Sequence, residues 1–262
     1  MGSLAKTGCG HRTDYAIRQT FGKIPVKIIF DSETKELPHS NTMRIKAFSE
    51  ENVIYDKMFL SVGGGAIEVL GEEKKILNTV YAESTFAEVE AVCEKNGISL
   101  AEYVKVCEGS EIIEYIKLVW KRMKQTAENG LRAEGIIPGG LGIKRKAARL
   151  FKKGQSKAFG HEKEIYLISA YAYAVSEENA SGGMMVTAPT CGASGVLPAV
   201  LIFKQQELGF SDDEIISALL TAGIVGNIIK HNASMYETGK DLSCRYRETS
   251  EGGLASLYGS DL

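Results

Sequence analysis

The chain has 262 residues, a formal net charge of -2, and an ordinary balance of 44% hydrophobic and 24% charged residues. That balance gives no bulk attraction to nucleic acid or anionic membrane. No apolar run reaches the ~20 residues of a membrane helix, and no charged-then-apolar leader opens the chain.

The first ~80 residues read as mixed α and β. Residues Gly8-Cys9-Gly10-His11-Arg12-Thr13-Asp14 lead into a helix that Thr13 or Asp14 is expected to cap. Lys27-Ile28-Ile29-Phe30 is a short strand candidate. Met43–Phe48 alternates apolar and basic residues, the period-2 mark of a half-buried strand. Met58–Val62 reads as a further strand that stops at Gly63-Gly64-Gly65, with Ile67-Glu68-Val69 continuing it after a kink.

From about Ser84 the pattern turns helical. Thr85–Glu88 and Ser99–Glu102 have capping-box spacing, with Gly97 as a stop between the two helices. Glu111–Asn129 carries Ile112, Ile113, Ile116, Val119, Trp120 and Met123 at helical spacing, then meets Gly130. Further helices are expected over Lys146–Phe151, Glu162–Val175 and Gly195–Leu208. A last one starts at the capping box Ser211-Asp212-Asp213-Glu214 and runs to about Lys230. Gly223 and Gly226 within it predict close approach of a neighbour, since a helical glycine costs ~1 kcal/mol that packing must offset.

The basic stretch Lys144-Arg145-Lys146 with Arg149, Lys152 and Lys153 reads as a solvated helix face in preference to a phosphate or nucleic-acid site. The five cysteines, Cys9, Cys93, Cys107, Cys191 and Cys244, are odd in number, widely spaced and without a CxxC. Disulfides are therefore not expected, and a reducing, cytoplasmic location fits. The expected fold class is α+β, a small mixed α/β domain over residues 1–80 followed by a larger, mainly helical domain over residues 81–262.

The densest chemistry lies in Glu177–Gly195. It combines Asn179, Ser181, Thr187, Thr190 and Cys191 with Gly182, Gly183, Gly192 and Gly195, then opens a helix. Unpaired backbone N–H groups at a helix start attract anions, and glycine lets a ligand approach them. A substrate carboxylate suits this place; a tight loop that only serves packing is the other reading. Cys191 is a metal ligand, a nucleophile or a small packed residue. His11 is a candidate acid or base. Pro38-His39-Ser40-Asn41, Ser61–Gly65 and His231-Asn232-Ala233-Ser234 each put polar groups at the end of an element.

Taken in order, these segments resemble the iron–sulfur-dependent L-serine dehydratases. Gly2–Asp14, His39-Ser40-Asn41-Thr42-Met43-Arg44 and Ser61–Gly65 resemble the later part of that family's β portion. Gly130–Gly135, Pro138-Gly139-Gly140-Leu141, Glu177–Gly195 and His231–Ser234 resemble its α portion. Tyr236–Asp241 and Tyr246–Ala255 resemble its C-terminal stretch.

The resemblance implies conversion of L-serine to pyruvate and ammonia, with a [4Fe–4S] cluster as Lewis acid and no pyridoxal phosphate. By motif it implies His11, Thr13, His39, Asn41 and His231 as catalytic residues. Ser61, Gly63, Gly64, Asn179, Gly182, Gly183, Thr187, Thr190, Gly192 and Asn232 would bind substrate. Cys9, Cys191 and Cys244, the cysteines near matched motifs, would be the metal ligands. The implied partners are L-serine or a similar small amino acid, and a second copy or a complementing subunit, with no nucleic acid and no membrane.

The chain departs from the family's pattern in three places. It starts downstream of the Ser-Ser-Ser-His-Thr-type segment. Cys191 stands where Asn is frequent. Ser234 runs straight into the tail, so the glycine- and cysteine-rich stretch that supplies cluster ligands is expected to be missing there. A non-catalytic or partner-dependent form that still binds a small amino acid is the alternative reading.

Overall fold

A computed structural model describes residues 3–10, 12–63, 66–73, 79–139, 141–187 and 191–232. The chain divides into two units, Met1–Leu77 and Asn78–Leu262. The fold is α+β, with a small antiparallel sheet in the first unit and helices in the second.

The first unit opens with α1 (Ser3–Thr7) and α2 (Thr13–Phe21). Arg12, at φ 57°, is the N-cap of α2, and no side-chain capping bond forms there among the described residues. Thr13 and Asp14 therefore sit inside the first turn, where the Asp14 carboxylate meets the positive end of the helix dipole. Strands β1 (Thr42–Ser49), β2 (Asn52–Gly63) and β3 (Ala66–Val69) form a sheet in that order. In β1–β2, Met43 faces Phe59 and Lys46 faces Asp56, and a bulge falls at Ala47/Phe48. Arg44 grips Asp56 through two bonds of 2.6 Å.

Two further expectations fail in this unit. Lys27–Phe30 pairs with no strand among the described residues and runs as coil. Four apolar-rich residues specify a strand only when a neighbour completes the ladder. Ile67–Val69 does not prolong β2 but returns antiparallel on it, with Ser61 opposite Ile67 and Phe59 opposite Val69.

The second unit holds α3 (Phe86–Asn96), α4 (Leu100–Glu108), α5 (Glu111–Arg132), α6 (Ala147–Gln155), α7 (His161–Ser181), α8 (Val196–Leu208) and α9 (Asp212–Asn232). The expected capping boxes form at Thr85/Glu88 and Ser99/Glu102. A third forms at Ser211/Glu214, where the Glu214 carboxylate accepts the Ser211 N–H at 2.7 Å. Gly97 ends α3 in the left-handed conformation. The core packs Trp120 of α5, Leu167 and Tyr171 of α7, Leu201 of α8, and Ile215 and Ile224 of α9.

Helix α5 does not stop at Gly130. A Cβ there would lie 2.2 Å from the Ala174 carbonyl oxygen, so the missing side chain lets α5 and α7 touch at main-chain distance. The close approach expected in α9 is absent at Gly223, which is exposed and whose added Cβ would meet nothing within 4 Å among the described residues. No helix among the described residues is long and apolar enough to cross a membrane.

Candidate functional site

In the first unit, the segment His39–Thr42 is held from three directions. The Asn41 N–H donates to His39 Nδ1 at 3.0 Å, and Thr42 Oγ1 donates to the His39 carbonyl at 2.6 Å. The Ser3 N–H, at the start of α1, donates to the Ser40 carbonyl at 2.7 Å. The Ser61 N–H, on β2, donates to the Asn41 carbonyl at 3.0 Å. Backbone bonds thus bring His39, Asn41 and Ser61 into one cluster. Thr13 lies beyond the far end of α1, where its N–H donates to the Gly8 carbonyl at 2.8 Å. Cys9 is exposed. His11 and Gly64 lie outside the described residues, and Gly63 ends β2 opposite Ala66.

In the second unit, the run from Glu177 is helix for longer than the sequence suggests. α7 carries on to Ser181, so Asn179 is in its last turn, and Gly182 closes it at φ 81°. That left-handed conformation suits glycine. The Asn179 carbonyl accepts the Gly182 N–H at 3.1 Å, and the Glu178 carbonyl accepts the Gly183 N–H at 2.8 Å. A Cβ on Gly183 would stand 2.6 Å from Glu178 Oε2. Beyond it, Thr126 Oγ1 of α5 shares its proton between the Arg122 carbonyl at 2.9 Å and the Met184 carbonyl at 3.0 Å, the latter tying down the segment that leads to exposed Thr187.

Cys191, ahead of α8, is exposed. Its carbonyl accepts from Ser194 Oγ at 2.5 Å. A Cβ on Gly192 would meet nothing within 4 Å among the described residues, and one on Gly195 would lie 2.7 Å from the Ala172 carbonyl. The start of α8 is therefore docked on α7 about two turns before Asn179. His231 and Asn232 are the exposed last residues of α9, and Asn232 Nδ2 donates to the Ser84 carbonyl at 2.8 Å. Thr190 and Cys244 fall outside the described residues.

Sequence reasoning missed the acidic–basic cluster beneath the end of α7. Of the basic stretch, Lys144, Lys146, Arg149, Lys152 and Lys153 are exposed as expected, but Arg145 is not. Its side chain is 9% exposed, with Nη1 3.5 Å from Glu178 Oε1 and Nη2 donating to Ser181 Oγ at 2.5 Å. Beside it, Glu177 is 3% exposed and its Oε1 accepts the Lys146 N–H at 2.6 Å. A carboxylate from α7 thereby caps α6. The signal was present as spacing: Ala170, Ala174 and Glu177 share one helical stripe with Leu167.

Two surface clefts, of about 280 Å³ and about 240 Å³, open elsewhere. Arg44, Asp56 and Leu70 line the first, and Gly135, Arg145 and Arg149 the second. Neither is lined by a residue expected to bind substrate.

A [4Fe–4S] cluster is held by several cysteine thiolates. Among the described residues, no three His, Cys, Asp or Glu side chains come together as a metal-binding group. Cys93 is buried and its thiol is pushed up by desolvation, the opposite of what a thiolate ligand needs. The described residues do not fit the cluster.

Residues 70–235 match the family described as serine dehydratase alpha chain, and residues 23–74 the serine dehydratase beta chain. The L-serine dehydratase of Haemophilus influenzae is 32% identical over 99% of this chain and 69% of its own length. The L-serine dehydratase of Streptomyces coelicolor is 34% identical over 80% of the chain and 49% of its length. L-serine dehydratase 2 of Escherichia coli is 30% identical over 99% and 68%. The chain therefore spans from about half to just over two thirds of these relatives. The Haemophilus alignment is 316 positions long against 262 residues here, so more than fifty positions of that relative face gaps in this chain. Such coverage by two adjoining family matches defines a lyase-class enzyme fold with β and α portions on one polypeptide. The chain belongs to the serine dehydratase family.

Proposed function

We propose that this chain binds L-serine and serves its conversion to pyruvate and ammonia. The observation that carries the reading is likeness to relatives named L-serine dehydratase over 99% of the chain. A base removes the Cα proton, the hydroxyl leaves as water, and the resulting enamine tautomerises and hydrolyses. Within the first unit, His39, Asn41 and Ser61 are proposed to contact substrate; within the second, the candidates are Asn179, Gly182, Gly183 and Thr187.

The family's [4Fe–4S] cluster has no ligand set among the described residues, so no step is assigned to it. That misfit, with the more than fifty unmatched positions of the Haemophilus relative, supports a second reading. In it the chain retains amino-acid binding and depends on a complementing subunit for turnover.

One experiment separates the two. The purified chain is reconstituted anaerobically with iron and sulfide, its visible spectrum recorded, L-serine binding measured by calorimetry and pyruvate assayed. A brown protein that forms pyruvate from L-serine supports the first reading. A colourless protein that binds L-serine without turnover supports the second. Absence of any L-serine binding overturns both.

A further inference from the structure

We propose that His39 meets the substrate as a neutral hydrogen-bond donor through Nε2, and is not the base that takes the Cα proton. The substrate half of this rests on the L-serine reading above; the ring assignment does not.

A backbone N–H can only donate, so the Asn41 N–H at 3.0 Å requires a bare lone pair on His39 Nδ1. A neutral imidazole carries a single proton, which must then sit on Nε2. The amide on the other side of this contact is held in place by its neighbours. Asn41 is tied through its own carbonyl to Ser61, and Ser40 through its carbonyl to Ser3. Thr42 Oγ1 clamps the His39 carbonyl at 2.6 Å, and Thr42 begins β1. The amide that fills Nδ1 is therefore fixed by two elements outside the loop.

This arrangement leaves the ring no free lone pair. To accept a proton at Nδ1, it would have to give up the Asn41 N–H; at Nε2, a proton is already present. What it offers is one N–H, on a half-buried side chain. L-serine presents matching acceptors in its carboxylate and hydroxyl oxygens, whereas its ammonium group has nothing to accept with. His39 thus suits an oxygen-bearing end of a hydroxy amino acid, where it orients the substrate or steadies charge on an oxygen.

The test uses the full chain with ¹⁵N-labelled histidine rings and long-range ¹H–¹⁵N correlation spectra at about pH 7.5, above the ordinary imidazole value of about 6.5. There are four histidines, and His39→Gln identifies the signals of interest. The expected result is a neutral ring with its proton on Nε2 and bare Nδ1. Saturation with L-serine, monitored by calorimetry, shifts the Nε2 signals and leaves the tautomer unchanged. His39→Ala weakens L-serine about tenfold, the scale of one bond to a charged oxygen. A proton on Nδ1, or an imidazolium, overturns the proposal. Bound L-serine that leaves Nε2 unmoved overturns its substrate half. Failure of the wild-type chain to bind L-serine overturns the substrate reading of the previous section and this half with it, while an Nε2 proton would still uphold the ring assignment.

Discussion

Glu177, on α7, accepts the backbone N–H of Lys146 at 2.6 Å and lies within 3.4 Å of that of Ala147, so one helix caps the start of another. The same carboxylate leaves Oε2 buried without a hydrogen-bond partner among the described residues. Glu177→Gln keeps one acceptor for Lys146 and is expected to shift stability by less than about 1 kcal/mol. Glu177→Ala strands the donors and costs about 1–3 kcal/mol. Denaturant unfolding reads the difference, and hydrogen exchange places it: the Lys146 and Ala147 amides lose protection first.

Gly130→Ala tests the helix crossing. Its methyl group would press on the Ala174 carbonyl at 2.2 Å, backbone against backbone. The expected cost is about 1–3 kcal/mol, the range for overpacking a filled interior, read as a lowered melting temperature. Gly223→Ala is the control. It adds a methyl in open space and removes a helical glycine, so it should hold or raise stability by up to about 1 kcal/mol.

Local signals were legible where both partners lie within one turn of chain. Thr85/Glu88, Ser99/Glu102 and Ser211/Glu214 announce their helices, and the structure forms all three boxes. Distant partners were not. Arg145 reads as one more exposed cation until Ser181, 36 positions on, turns it inward. Lys27–Phe30 has strand composition and no strand beside it. At the candidate site, the sequence singled out His39, Asn41 and Ser61 separately. The backbone bonds that join them depend on β2 returning to the His39 loop, which no short-range pattern encodes.

The three capping glutamates make the helical unit sensitive to acid. The Ser84 N–H first, then Thr85, holds the Glu88 carboxyl below its ordinary 4.5; the Ser99 N–H does so for Glu102, and the Ser211 side chain for Glu214. A depressed folded-state value contributes stability that is present above the unfolded value and lost as pH falls through the folded one. Melting temperature should therefore decline as pH drops below about 4.5. Replacing all three by Gln, which keeps acceptors but cannot titrate, should flatten that decline; an unchanged acid limb would refute the assignment.

Thr126 tests whether the segment after Gly183 matters to binding. Its hydroxyl is buried in α5 and donates to the Met184 carbonyl. Thr126→Val removes the donor at nearly constant shape and should cost about 1 kcal/mol. If the segment holds substrate, L-serine affinity should also fall several-fold, with faster exchange of the Met184 and Met185 amides. Thr126→Ser restores both. Equal affinity in all three proteins would remove this segment from the proposed pocket.

The bond from Asn232 to Ser84 joins residues 148 positions apart and sets the last residue of α9 beside the chain that leads into α3. Such a unit behaves like a closed ring with one seam. Chain can be lengthened or shortened at the seam without forcing any helix to move, because both ends already meet. An insertion just after α9 would therefore leave the helices in place. It also makes the seam a natural place to join new termini: a circular permutant opened in the exposed turn at Gly109 and linked across the seam should retain the helical content of the parent chain.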